Sequence, residues 1–292
     1  MTRTGWVLFA LLGVIWGLPY LMIKVAVGGV SVPVLVFART AIGAAILVPI
    51  AIRKVRWDAL RKHWPWVLAF AVLEVVGPWA LLSDAEHNLS SSMAGLLIAA
   101  VPIIGAVVVG FLGERLGVKQ WAGLAVGFGG VALLAAPNLH GGDAWSIVEV
   151  LLTAIGYAVA PVIADRKLRE IPSIVVTAIT LTLAGLVYTA PAIATWPERM
   201  PDVDVLLALV GLAVVCTALG LMLFFQLIRE AGPARAMVIT YVNPVVAVAA
   251  GVLLLHEPLT LTTTISFVLI LGGSFLATSR PRERVRASVE VA

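Results

Sequence analysis

The stretch GERLGVKQWAGLAVGFGGVALLA, residues 113–135, is answered by HEPLTLTTTISFVLILGGSFLAT, residues 256–278, at a constant offset of 143. Glu114 meets Glu257, and the pair Gly129-Gly130 meets Gly272-Gly273. Just upstream, VPIIGAVV (101–108) is answered by NPVVAVAA (243–250) at offset 142, which superimposes Pro102 on Pro244. A weaker match joins LLGVI (11–15) to LLTAI (151–155). The chain is therefore two copies of one unit, read as residues 1–140 and 141–279, followed by a basic tail over 280–292.

The solvent decides what each unit is. Hydrophobic residues make up 61% and charged residues 12% of the 292 positions, with mean hydropathy +1.05. Soluble domains carry roughly 25% charged residues, so this chain lacks the surface to face water. Apolar runs lie at about 6–26, 33–52, 65–82, 91–113, 121–137, 145–164, 172–195, 204–228, 236–255 and 261–279. In lipid every backbone polar group must be satisfied within its own segment, so each run is predicted to be a helix. Barrel strands would alternate polar and apolar residues, and these runs do not. The fold class is an all-α integral membrane protein of ten transmembrane helices. Five helices per copy is an odd number, so the second copy is inverted in the membrane. Inverted repeats are a transporter architecture, with the solute site near the midplane.

The charges orient the chain. Of the twenty Lys and Arg residues, Arg199 alone falls in loops on the side opposite the N-terminus, and Lys24 and Arg39 fall within spans. The rest lie on the N-terminal side. The positive-inside rule then places both termini in the cytoplasm. The basic balance is met by the cytoplasmic leaflet and calls for no nucleic acid partner. The first segment is too long for a signal peptide and reads as a retained helix. One cysteine, Cys216, excludes a disulfide framework and a thiolate metal site. HEP at 256–258 is not HExxH, and neither a GxSxG elbow nor a phosphate-binding loop occurs. No cofactor and no metal are expected, and the chain is not read as an enzyme.

The order of motifs resembles the drug/metabolite transporter superfamily, in its ten-helix EamA-type branch. The resemblance rests on WGLPYLMIK in the first helix, Arg39 after Pro33, Pro102 followed by GERL, and GFGG, with Pro244, HEPL and LGG repeating them. It covers about residues 6–279. It implies a secondary transporter, often an exporter, of small solutes such as amino acids, sugars, nucleotide-related metabolites or drugs. It also implies alternating access around a cavity between helices 1, 3, 4, 6, 8 and 9, and in several members a proton gradient. The second copy departs from the pattern: Gly156-Tyr157 stands where the first has Trp16-Gly17, and Lys24 has no counterpart.

Candidate solute-binding residues follow from polar groups in apolar segments. Trp16, Tyr20 and Lys24 are spaced i, i+4, i+8 on one helical face, beside a kink expected at Pro19. Lys24 either contacts solute near the outer end of the cavity or snorkels to the interface. Glu74 sits mid-span in the third segment, where a charge costs about 2.5–3.5 kcal/mol. It is the proton-coupling candidate; the competing reading is a static ion pair with Arg39 or Lys24. Pro102 and Pro244 each free a carbonyl within a helix, and Tyr241 and Asn243 add polar groups beside the second. Trp79 and Tyr157 are further candidate lining residues. Glu114 and Glu257, at helix ends, read as contacts to loops or helix termini. The expected partners are a small-molecule solute and the lipid bilayer, with the chain a monomer or homodimer in a bacterial cytoplasmic membrane. The alternatives are a polytopic membrane enzyme or a non-transporting scaffold or sensor.

Overall fold

The computed structural model describes residues 2–113, 116–138, 143–231 and 237–278. Among these there is no strand. Eight helices are long and apolar enough to span a membrane: α1 (Arg3–Ala26), α2 (Val32–Lys54), α3 (Trp57–Asn88), α4 (Ser91–Phe111), α5 (Val118–Ala135), α6 (Asp143–Lys167), α7 (Ser173–Ala194) and α8 (Val203–Ala231). Two shorter apolar helices, α9 (Val238–Leu254) and α10 (Leu261–Ala277), complete the ten. Glu114 and the tail from 280 lie outside the described residues.

The helix pairing carries the repeat into three dimensions. Helices α2 and α7, α4 and α9, and α5 and α10 each pack against their own repeat mates. The α3–α6 contact is mirrored by α8–α1. Exchanging the two five-helix halves thus maps the packing onto itself, as expected of inverted-topology repeats. The glycines of the opening stretch make the α5–α10 contact possible. A Cβ on Gly273 would collide with the backbone of Gly127, and one on Gly123 would strike the backbone of Ala277. Small residues let membrane helices approach backbone to backbone, where dispersion and weak polar contacts replace the missing hydrophobic drive. Gly129 and Gly272 face open space, so only one member of each glycine pair serves this packing.

Several helices are interrupted where the sequence carries proline. In α1 the regular helix stops at Gly17 and resumes at Pro19, with Leu18 between. In α4 it stops at Ile98 and resumes at Val101, where Pro102 opens the second piece. In α9 a 3₁₀ turn, Met237–Tyr241, precedes the regular helix Asn243–Leu254, with Pro244 in its first turn. Proline lacks an N–H and disturbs the turn before it, so carbonyls are released inside the membrane. The Ser274 hydroxyl of α10 donates to the Ala99 carbonyl at the α4 break (3.0 Å). One boundary differs from expectation. Helix α3 runs on to Asn88 instead of stopping near 82, which brings Ser83 and Glu86 into the buried interior.

Candidate functional site

Two wide turns lie at equivalent places in the halves. Helix α3 is π-helical over Val72–Val76 and α8 over Gly211–Leu219. Glu74 and Cys216, repeat counterparts at offset 142, sit inside them. In α3 the cause is local: Pro78 cannot donate to the Glu74 carbonyl, and the Gly77 N–H bonds back to Val72 instead. The displaced backbone is then satisfied from neighbouring helices, as a membrane interior demands. Tyr188 of α7 donates its hydroxyl to the Val76 carbonyl (2.7 Å), and Thr153 of α6 donates to that of Pro78 (3.3 Å). In α8 the Trp16 indole donates to the Cys216 carbonyl (3.1 Å), and Thr217 donates to that of Leu212 (2.8 Å). π-Turns recur at functional sites; Thr217 of the α8 turn and Trp79, just beyond the α3 turn, meet at the same cation.

That cation is Arg39 of α2, only 7% exposed. Its Nε donates to Thr217 Oγ1 (3.0 Å), and its Cζ lies 3.6 Å from the centre of the Trp79 ring. The Trp79 indole in turn stands beside the Tyr157 hydroxyl. Among the described residues no carboxylate pairs with Arg39, and its two terminal nitrogens make no hydrogen bond. A guanidinium presents a planar fork suited to a carboxylate or phosphate. Here one edge is anchored and the face is stacked, so the fork is oriented with donors to spare.

Glu74 stands near this fork but not on it. The residue is half-buried, while its Oε2 is shielded and without a hydrogen-bond partner. Tyr157 is in electrostatic range of both Glu74 and Arg39. Neither Arg39 nor Lys24 forms an ion pair with Glu74 among the described residues. The static pair that competed with a working acid is therefore not formed. The arrangement offers an unneutralised cation and an unpaired acid joined through a tyrosine.

The remaining candidates divide. Tyr20 is buried and lies in electrostatic range of Arg39 and Tyr157, so it joins the cluster. Lys24 is committed elsewhere. Its ammonium donates to the carbonyls of Glu86 (2.6 Å), His87 (3.4 Å) and Leu89 (2.9 Å), closing the end of α3. Trp16 is held by the Cys216 carbonyl and by the Phe224 ring, 4.8 Å away. Thus the three residues that share a face in sequence serve three different neighbours across the break at Leu18. Tyr241 is tied to α10 through the Ser274 carbonyl (3.2 Å) and Thr278 Oγ1 (2.6 Å). Pro102 and Asn243 stand at the α4 and α9 breaks, and the Asn243 Oδ1 is buried without a partner. Sequence reasoning missed Thr217, Pro78 and Glu86. Pro78 was legible as a proline next to a mid-span acid; Thr217 and Glu86 acquire meaning only from α2 and α1.

The chain matches the EamA-like transporter family over residues 3–136 and again over 144–279. It belongs to that family. Among curated relatives, the uncharacterized inner membrane transporter YedA of Escherichia coli K12 is 28% identical over 94% of this chain and 92% of its own length. A probable amino-acid metabolite efflux pump of the same strain is 26% identical, covering 94% and 95%. A solved crystal structure, 21% identical, superimposes with a TM-score of 0.67 over 95% of this chain and 98% of the other. The family membership and the apolar helices make this chain a multi-pass membrane transporter protein, whose partners are a small solute and membrane lipid.

Proposed function

We propose that the chain is a secondary active exporter of small metabolites of amino-acid type. It works by alternating access in a bacterial cytoplasmic membrane, with both termini inside. The observation that carries this reading is the buried, unpaired Arg39 fork held by Thr217 and Trp79. In a low-dielectric site such a fork recognises a carboxylate through charge-assisted hydrogen bonds, and Trp79 and Tyr20 supply aromatic surface beside it. Glu74 couples transport to protons. A half-buried acid with no fixed partner takes up and gives back a proton as the two halves rock and its surroundings change. A relative named for a solute, the probable amino-acid metabolite efflux pump of Escherichia coli, supports the solute class. An arginine fork with donors to spare, stacked on an aromatic ring, fits binding a solute.

The test is an untargeted metabolite profile of the medium of cells expressing the wild type, Glu74→Gln or an empty vector, at matched membrane expression. A carboxylate-bearing solute accumulating outside only with the wild type is expected. Equal accumulation with Glu74→Gln would remove Glu74 from coupling. No difference between wild type and vector would count against export.

A further inference from the structure

Glu86 is the most enclosed acid of the described chain. It is 0% exposed, and neither carboxylate oxygen has a hydrogen-bond partner. The backbone N–H of Lys24 approaches it without reaching hydrogen-bonding geometry. Its neighbour Glu257 shows what a fully hydrogen-bonded carboxylate looks like in this place. Glu257 accepts from the Ser91 N–H (2.7 Å), the Ser92 N–H (2.9 Å) and the Ser92 hydroxyl, capping α4. An ionised carboxylate with no donors is very costly to bury. The two acids therefore differ in setting: Glu257 is held by three donors, while Glu86 has none, a setting that suits a neutral carboxyl.

The groups around Glu86 come from several elements. Lys24 and Tyr20 face it from α1, Arg39 from α2 and Glu257 from the segment between α9 and α10. On its own helix, Asp84 and His87 are exposed, and Glu149 of α6 faces Asp84 instead. Lys24 spends its hydrogen bonds on carbonyls, including that of Glu86 itself, so its charge sits beside the acid without ligating it. Two cations in range are ready to receive the anion when the proton leaves. Inward lie further titratable groups, within electrostatic range of one another and without direct hydrogen bonds between them. Glu86 is in electrostatic range of Tyr20, Tyr20 of Tyr157, and Tyr157 of Glu74.

We propose that Glu86 is a second proton-binding carboxyl, the loading site on the face opposite the N-terminus for protons that reach Glu74. The proposal rests on the proton-coupled transport reading above. In the transfer Glu86 loses its proton and becomes a carboxylate beside Lys24 and Arg39. The proton released is taken up by the Glu74 carboxylate, which becomes the acid. No other reactant is needed. Glu86 then reloads from the water on its own face when the rocking of the two halves opens it.

Infrared difference spectra of the full chain in liposomes, recorded across a pH titration, test the site without any solute. The wild type should show a protonated-carboxyl stretch at neutral pH that fades as pH rises. Glu86→Gln should delete one component of it, Glu74→Gln should leave that component in place, and Glu86→Asp should retain a titrating band. Glu86→Gln keeps the size of the side chain and is neutral like the proposed acid, so it should insert and fold. In parallel, the same liposomes are given a radiolabelled mixture of the proteinogenic amino acids under an imposed pH gradient. Glu86→Gln should lose at least tenfold in gradient-driven movement while keeping exchange at equal pH. Glu86→Asp should stay within a few-fold of wild type. A carboxyl band unchanged by Glu86→Gln, or one that never titrates, would overturn the proposal. So would gradient-driven movement by Glu86→Gln equal to wild type. Failure of the wild type to move any amino acid would instead overturn the transport reading, and the infrared comparison would still decide whether Glu86 binds a proton.

Discussion

Replacing Arg39 with methionine separates a binding cation from a structural one. Breaking a buried ion pair by removing one partner costs about 3–5 kcal/mol, because a charge is left unpaired. Arg39 has no ion-pair partner among the described residues, so Arg39→Met strands no charge. What is lost is the bond to Thr217 and the stack on Trp79. These contribute about 1.5–3 kcal/mol for a charged hydrogen bond and about 2 kcal/mol for a desolvated cation–π contact. Against them stands the relief of a buried charge, also several kcal/mol. Thr217 keeps its own bond to the Leu212 carbonyl, so it is not orphaned. The balance should fall within about 2 kcal/mol of zero, given the two-to-threefold context dependence of each contribution. Transport should respond very differently. Losing about 3 kcal/mol of charge-assisted contact to a carboxylate raises KM about a hundredfold. The assay pairs apparent Tm in detergent, read by tryptophan fluorescence, with amino-acid uptake in proteoliposomes. A collapse of stability with proportionate loss of transport would refute the reasoning, since it would make Arg39 a structural residue.

Lys24→Met should lower stability by about 2–3 kcal/mol, since three carbonyls at the end of α3 lose their donor. Hydrogen exchange near residues 86–91 should quicken, with solute preference unchanged. Glu257→Ala should cost about 3 kcal/mol by uncapping Ser91 and Ser92, whereas Glu257→Gln should recover part of it, both read as apparent Tm. Gly273→Val should prevent the α5–α10 contact, costing more than about 3 kcal/mol. The readout is a sharp fall in monodisperse protein on size exclusion, while Gly272→Val, facing open space, should leave the profile as wild type.

The fold was largely legible because its signals are local or periodic. Ten apolar runs, the two copies of the Gly-Gly stretch and the basic residues on one side are all properties of neighbouring positions. Helix α3 was read too short because Ser83, Asp84, Glu86, His87 and Asn88 look like a loop. They remain helical because Lys24, sixty-two residues away from Glu86, holds their last carbonyls. The site was legible where a charge interrupts an apolar run, as at Arg39 and Glu74. It was not legible where function depends on who meets whom. The i, i+4, i+8 spacing of Trp16, Tyr20 and Lys24 suggested one shared face. The break at Leu18 separates Trp16 from the other two, and Lys24 finds backbone carbonyls that no sequence pattern announces. Thr217 reads as an ordinary small residue until a wide turn in α8 presents its hydroxyl to Arg39.

The most direct test of Arg39 as the carboxylate anchor is thermal stabilisation of the purified protein by matched pairs of amino acids and their methyl esters. A ligand at a hundred times its Kd stabilises by about 2.7 kcal/mol. Free amino acids should raise the apparent Tm of the wild type, their esters should not at the same concentration, and Arg39→Met should respond to neither. Equal stabilisation by acid and ester, or undiminished binding of the acid by Arg39→Met, would contradict a carboxylate held at this arginine.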